Sequence, residues 1–547
     1  TSINPQFTTS TTKSGSYDQS SVVESNPTIN LLASYTKKLN KFDFSVQAGY
    51  NQSENGSKTL AVHGENFYIQ DFQSINNCDP LTITTLQATR IRRIQAVFGS
   101  FMASYGNLAF LTLRGRNDWS STLPIENRSY FYPAADFSFI LSELPFMKNH
   151  SKTWSYVKLR GSMAQVGKDA PPLSITPSLA LQTTTSAGYA YGFTGPNKSL
   201  KPEIDQAWEV GIEGRLFDNR LSFDLAYYDT QSNDQIITGF RMSYATGFVL
   251  NNRNMGSFKT NGFEFLLNYD VLRSKDWLVN VGINGSKNFS EVLSLPTGVT
   301  EYYNSATWVS GNIRNGIMVG SPITTLTGQD YQKNAKGQIL VDPTSGLPLV
   351  NSTWSVIGDR EPELSYGFIA KVSYKNISLS CLLNGKLGTE VVNGTKRIMM
   401  TNGSSLESVA QREMGAVIFD GVLKDGKEET ANPNPNNIAV RLGDLSSGYA
   451  GVDPNWIEKD INYLNLSEIR LAYNFEKKLI NKISGNLVSA FSVYLSGNDL
   501  FLLTNYSGID PVGNATSSAI GGTGGVGFDM LSIGAPRGFS CGLNITF

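Results

Sequence analysis

Apolar and polar residues alternate one by one through segments of about ten residues, a pattern that few folds accommodate. In segment 42–50, Phe42, Phe44, Val46, Ala48 and Tyr50 read on one side, and Asp43, Ser45, Gln47 and Gly49 on the other. Segments 208–216, 221–227 and 539–547 repeat the pattern. Successive side chains of an extended backbone point to opposite faces, so each segment is a strand with one apolar and one polar face. Strands of soluble sandwiches run about five or six residues. Strands of about ten suit a wall with lipid on one side and water on the other, as in a transmembrane β-barrel. Small residues on the polar face, such as Gly211, Gly282 and Gly542, fit a curved wall.

The pattern predicts an all-β, antiparallel transmembrane barrel chain of about fifteen strands. They are expected at 30–38, 42–51, 93–105, 108–118, 133–142, 154–166, 206–216, 220–229, 258–269, 277–288, 364–374, 377–387, 463–473, 488–498 and 537–547. Short connections (39–41, 106–107, 143–153, 217–219, 270–276, 375–376 and 474–487) alternate with long ones, among them 52–92, 167–205, 289–363 and 388–462. Short periplasmic turns opposite long extracellular loops are the outer-membrane arrangement. Aromatics such as Tyr50, Trp119, Trp154, Trp277, Tyr374 and Tyr473 fall near strand ends, where interfacial girdles sit. An odd strand count places the first residues in an extracellular loop and Phe547 on the periplasmic side. Residues 1–547 are therefore expected to be the C-terminal part of one larger barrel domain.

Composition narrows the function classes. Lys and Arg total 45 against 46 Asp and Glu, which argues against a nucleic-acid partner. Charged residues make up 17% of the chain and aromatics 11%, with a mean hydropathy of −0.19, as expected of strands with two unlike faces joined by polar loops. Two histidines (His63 and His150, read as loop and turn residues) and three widely spaced cysteines support neither a metal site nor a disulfide framework. No cofactor or metal is expected. No stretch is apolar enough for a membrane helix.

Four groups of residues could carry chemistry or binding. Gly522, Gly524 and Gly527 match a dinucleotide-binding spacing, but they lie in a Ser/Gly-rich loop and not between a strand and a helix. Asp359, Glu361 and Glu363 offer carboxylates without the local context of a glycosidase, so the chain is not read as an enzyme. Arg90, Arg92 and Arg93, where a long loop enters a strand, form either a solvated rim or a contact to lipopolysaccharide phosphate. The long loops hold Tyr189, Tyr191, Phe193, Tyr302, Tyr303, Trp308, Trp354, Tyr449 and Trp456 among amides and hydroxyls. These aromatics either stack on sugar rings or peptide side chains, or pack the loops on one another.

A run of motifs resembles the C-terminal barrel region of SusC/RagA-type TonB-dependent transporters of Bacteroidota. The segments are 111–121 (LTLRGRNDWSS), 197–203 (NKSLKPE), 254–264 (NMGSFKTNGFE) and 358–363 (GDREPE), then 466–473 (LSEIRLAY), 495–501 (LSGNDLF) and 506–511 (YSGIDP), ending at Phe547. Lys198 and Glu361 depart from the family's usual residues. The resemblance implies a barrel of roughly 22 strands. It also implies that the plug domain, the TonB box and the N-terminal strands lie outside this chain, as a second polypeptide or a missing segment. The implied function is TonB-dependent import of a large nutrient, an oligosaccharide or oligopeptide, across the bacterial outer membrane. The implied partners are a SusD-like surface lipoprotein, TonB–ExbB–ExbD acting through the plug, outer-membrane lipid and lipopolysaccharide, with a dimer of transporter–lipoprotein pairs. The rival readings are a passive porin, a siderophore or cobalamin importer, and a surface glycan-processing enzyme.

Overall fold

A computed structural model of the chain describes residues 2–4, 15–177, 179–182, 188–241, 243, 245, 247–303, 313–441, 453–485, 487–512 and 525–547. Each of the fifteen expected segments is a strand. In chain order they are Thr28–Leu39, Phe42–Glu65, Thr84–Tyr105, Ala109–Ser120, Ser129–Ile140, Trp154–Lys168, Glu203–Leu216 and Leu221–Asn233, then Ser257–Arg273, Trp277–Ser294, Leu364–Tyr374, Ile377–Asn393, Ile457–Asn474, Ala490–Asn498 and Gly538–Thr546. Among the described residues no helix is long and apolar enough to cross a membrane.

The chain forms two compact units. The first comprises Thr1–Ser138, Ser162–Ala207 and Ser232–Met255. Its hairpins pair in simple antiparallel register: Phe42 faces Tyr105, Val46 faces Phe101 and Tyr50 faces Val97. Phe101 in turn faces Leu113, and Gln95 faces Trp119. One face of these strands is a sheet of large apolar side chains open to the surroundings, including Val46, Val97, Phe101 and Leu113. In water such a patch would be an aggregation hazard. Against lipid it is the required surface. The opposite face carries Gln47, Ser100 and Arg114 in register.

The second unit comprises Phe139–Gly161, Trp208–Gln231 and Gly256–Phe547. Leu379, Leu471, Leu495 and Cys541 form one apolar row across four strands, beside a row of Ser380, Arg470, Ser496 and Ser540 on the other face. At the short-turn end, Trp277 stacks on Tyr374 at 4.5 Å, and Tyr473, Phe475 and Phe491 lie 4.8–4.9 Å apart in sequence. These rings form a periplasmic aromatic belt. The polar-face glycines make room for neighbours. A Cβ on Gly542 would come within 2.4 Å of the Tyr494 ring, and one on Gly211 within 2.8 Å of the Arg160 guanidinium. Arg160 bridges Glu209 at 3.0 Å and Asp224 at 2.7 Å, joining three strands on that face.

Turn chemistry follows the residues available. Asn40, Gly106 and Lys375 take left-handed backbones in the tight turns, as do the consecutive Phe217, Asp218 and Asn219. Two of the short connections contain helices, Pro145–Lys148 and Lys477–Ser484.

Two expectations need correction. Most of the expected loop 52–92 is strand: Phe42–Glu65 and Thr84–Tyr105 stay paired from Phe42–Tyr105 to His63–Thr84. A further strand, Ser16–Ser25, lies along the same extension, pairing Ser16 with Glu65 through Ser25 with Gly56. Past the bilayer there is no lipid to demand an apolar face, so the sequence loses its alternation while the backbone ladder continues. His63 is accordingly a strand residue and not a loop residue. Its Nδ1 lies 2.7 Å from Asp18 Oδ1 and its Nε2 3.4 Å from Glu65 Oε1.

Candidate functional site

The motif at 197–203 and the start of the motif at 254–264 meet in the first unit, where they build a polar basin. Asn254 is the clamp. Its Oδ1 accepts from the Lys201 N–H at 2.9 Å, and its Nδ2 donates to Lys201 O at 2.8 Å and Asp234 O at 2.7 Å. Asn197 does the same nearby, donating to Asn252 O at 2.8 Å and accepting from Ser199 N–H at 2.9 Å. Side-chain amides suit this work because each offers a donor and an acceptor to backbone that no sheet ladder satisfies. Beneath, Leu200 is fully buried and packs with Leu123, Tyr130 and Ala170. The clamped segments enclose an open basin of about 500 Å³. Asn197, Ser199, Asn251 and Asn254 line it with Lys198, Lys201 and Arg253, against a single carboxylate, Asp234. Among the described residues these three cations make no ion pair.

Three of the expected aromatics border the same stretch of chain. Leu179–Gln182 and Gly188–Tyr191 form a hairpin that carries Tyr189 and Tyr191, and Phe193 follows it. Their exposures are 73%, 63% and 65%, high enough for stacking on a ligand. Tyr191 leans on Phe248 at 4.9 Å. Phe193 O accepts from Val249 and Leu250 N–H at 3.1 Å, and Gly195 pairs with Asn251. An aromatic ridge thus runs directly into the wall of the basin.

The other expected aromatics have different surroundings. Tyr303 and Trp354 sandwich the Arg314 guanidinium, at 3.9 and 3.5 Å from its carbon, while Glu301 holds its edge with contacts of 3.0 and 2.6 Å. Tyr302 is partly buried, which pushes its phenol pKa up. Trp456 is 2% exposed and belongs to a core with Ile313, Leu326, Val392 and Phe528. Trp308 and Tyr449 lie outside the described residues, as do Gly522 and Gly524. Gly527 leads into the bridge between Phe528 and Val392, with no helix following, so the dinucleotide spacing has no dinucleotide geometry.

The arginine trio is divided by strand alternation. Arg92 makes a bidentate bond to Asp169 at 2.6–3.2 Å, and Thr122 also donates to that carboxylate at 2.9 Å, as does Ser120. Burial raises the Asp169 pKa, but the bonds from Arg92, Ser120 and Thr122 outweigh it and hold the carboxyl below its ordinary value. Arg93 points the opposite way, toward Glu54. Arg90 is exposed and makes no ion pair among the described residues.

Sequence reasoning missed the cationic residues as a group. Lys198 and Lys201 stood in a motif and Arg253 beside one, but nothing in the spacing said that residues about fifty positions apart would share a basin.

Known proteins place this architecture. A family model described as TonB dependent receptor-like, beta-barrel, matches residues 2–360. TonB-dependent receptor P26 of Formosa agariphila is 27% identical over 522 residues, covering 89% of this chain and 50% of that protein. TonB-dependent receptor SusC of Bacteroides thetaiotaomicron is 22% identical over 513 residues, covering 89% and 48%. The chain therefore spans about half the length of the curated relatives it matches. Among solved structures, that of the RagAB peptide transporter matches with a TM-score of 0.74 at 19% identity, over 97% of this chain and 56% of that one. At that identity the likeness is one of fold. With lipid-facing strands, a periplasmic aromatic belt and a matching family model over most of its length, the chain belongs to the TonB-dependent receptor-like β-barrel family of the bacterial outer membrane.

Proposed function

We propose that this chain is the wall and ligand-contacting part of an importer that takes up an oligosaccharide or oligopeptide under TonB control. One observation supports the reading above others: the exposed ridge of Tyr189, Tyr191 and Phe193 beside the amide- and cation-lined basin. Rings stack on sugar faces or peptide side chains. Amides and cations then fix hydroxyl, carbonyl or carboxylate groups, as in most specific ligand sites. Tyr303, Trp354 and Trp456 act in this reading as supports that hold the long loops in shape. Trp308 and Tyr449 remain further ligand contacts. The chain binds and conducts; it does not break bonds.

The partners follow from the same reading. A SusD-like lipoprotein covers the extracellular loops, and the plug, with the remaining strands, comes from outside this sequence. TonB–ExbB–ExbD pull on the plug, and transporter–lipoprotein pairs associate as dimers. RagAB, whose fold this chain shares, is a peptide transporter, which supports peptide as one class of cargo.

Mass spectrometry of the detergent-purified protein and its co-isolated partners, joined to uptake assays, tests this. A bound oligosaccharide or oligopeptide is expected in the wild type. Tyr191→Ala with Phe193→Ala should weaken its binding about tenfold, the worth of two lost stacking contacts. Uptake that continues without TonB would favour a passive porin, and a retained metal chelate would favour a siderophore importer.

A further inference from the structure

The strands that lead to Arg93 also measure its height in the membrane. From the short-turn end outward, the lipid face of the hairpin reads Phe42 and Tyr105, Val46 and Phe101, then Tyr50 and Val97. Two polar rows follow, Gln52 with Gln95 and Glu54 with Arg93. Arg93 lies twelve residues above Tyr105 on one continuous strand, Thr84–Tyr105. At about 3.3 Å per residue and a tilt of roughly 40°, that is about 30 Å, just past the apolar band of about 25 Å. Trp119, opposite Gln95, marks the outer aromatic girdle one row below.

At this level the outward face forms a groove of about 410 Å³ lined by Arg93, Gln95, Trp119, Ser120, Ser121 and Arg128. Its walls are pinned. Ser121 N–H donates to Arg93 O at 2.9 Å, the Arg93 N–H donates to Ser121 Oγ at 2.9 Å, and Ser120 N–H donates to Arg128 O at 3.0 Å. Glu54 holds the Arg93 guanidinium through Nε at 2.9 Å and through Nη2. Arg128 makes no ion pair among the described residues, so the groove keeps one uncompensated cation. The alternation that turns Arg93 outward turns Arg92 to Asp169, and Arg90 shares the Arg92 face.

We propose that this groove binds a phosphate of the outer leaflet's lipopolysaccharide, with Arg93 and Arg128 as its anion ligands and Trp119 against the sugar or acyl root. Guanidinium groups pair with phosphate through charge-assisted, often bidentate, bonds. The outward face and the height select a membrane-bound phosphate over a soluble one. The site rests on the lipid face of the strands alone, and not on the identity of the imported cargo.

The test measures lipopolysaccharide co-purifying with the detergent-extracted protein. Arg93→Ala with Arg128→Ala should lower it about tenfold, and Arg93→Lys with Arg128→Lys should restore part of the loss. Arg90→Ala, on the other face, should leave it unchanged. Unaltered heat-modifiable migration of the double variant shows that it still folds. Dephosphorylated lipopolysaccharide should fail to rebind delipidated wild type, and millimolar inorganic phosphate should not compete. Wild-type retention by the double alanine variant would overturn the site, as would equal binding of the dephosphorylated lipid. Full competition by inorganic phosphate would instead make this a free-phosphate site and overturn the lipid assignment.

Discussion

His63 shows how far one side chain's surroundings can differ from what its neighbours in sequence suggest. It joins two strands above the membrane, held between Asp18 and Glu65. The hydrogen bond to Asp18 is the main cause raising its pKa; burial opposes, and the charges of Asp18 and Glu65 assist. A group that holds its proton more tightly when folded stabilises the fold fully below its unfolded value, about 6.5 for histidine. That stability is lost as pH rises through the raised value. Amide exchange in Ser16–Ser25, corrected for the intrinsic rate, should therefore quicken as pH rises past the ordinary histidine value and through the raised one, and His63→Gln should remove the dependence. A His63 titration at or below the ordinary value would sink this account. Nothing in the sequence could place Asp18 beside His63, because only the strand register joins them. The aromatics divide for a related reason. Composition put Tyr191 and Trp456 in the same class, yet one is 63% exposed and the other 2%, since burial depends on which distant segments fold over each ring.

At the scale of elements, legibility tracked the solvent. Where a strand meets lipid on one face, as from Phe42 to Tyr50, alternation is enforced and the strand could be read directly. Where the same strand rises beyond the bilayer, from Ser53 to Glu65, polar residues dominate both faces, Leu60, Ala61 and Val62 fall one after another, and the alternation vanished, though the pairing did not. The motif segments could be read but not interpreted: their asparagines turn out to be clamps for irregular backbone. Asn254 satisfies three backbone groups of Lys201 and Asp234. Replacing it with alanine leaves those groups to water or to nothing, which costs about 1–2 kcal/mol at a partly exposed site. We expect exchange of the Lys201 amide to accelerate about tenfold or more in Asn254→Ala, with ligand affinity falling as the basin loosens. Unchanged exchange at Lys201 would show that the clamp is incidental.

For the molecule as a whole, the central claim is that strand alternation sorts side chains between lipid and water. Rows such as Leu379, Leu471, Leu495 and Cys541 on one face, and Ser380, Arg470, Ser496 and Ser540 on the other, carry that claim in the second unit. Positions 94–104 on Thr84–Tyr105 carry it in the first. The direct measurement places a nitroxide at each position from 94 to 104 in turn, after replacing the three native cysteines, and compares accessibility to lipid-soluble oxygen and to a water-soluble nickel chelate. We predict opposed oscillations with a period of two residues, with oxygen highest at the odd positions from Val97 to Ala103, the chelate highest at the even positions between them, and oxygen access fading at Gln95. Uniform access to the chelate along the strand, or a period near 3.6, would contradict the account.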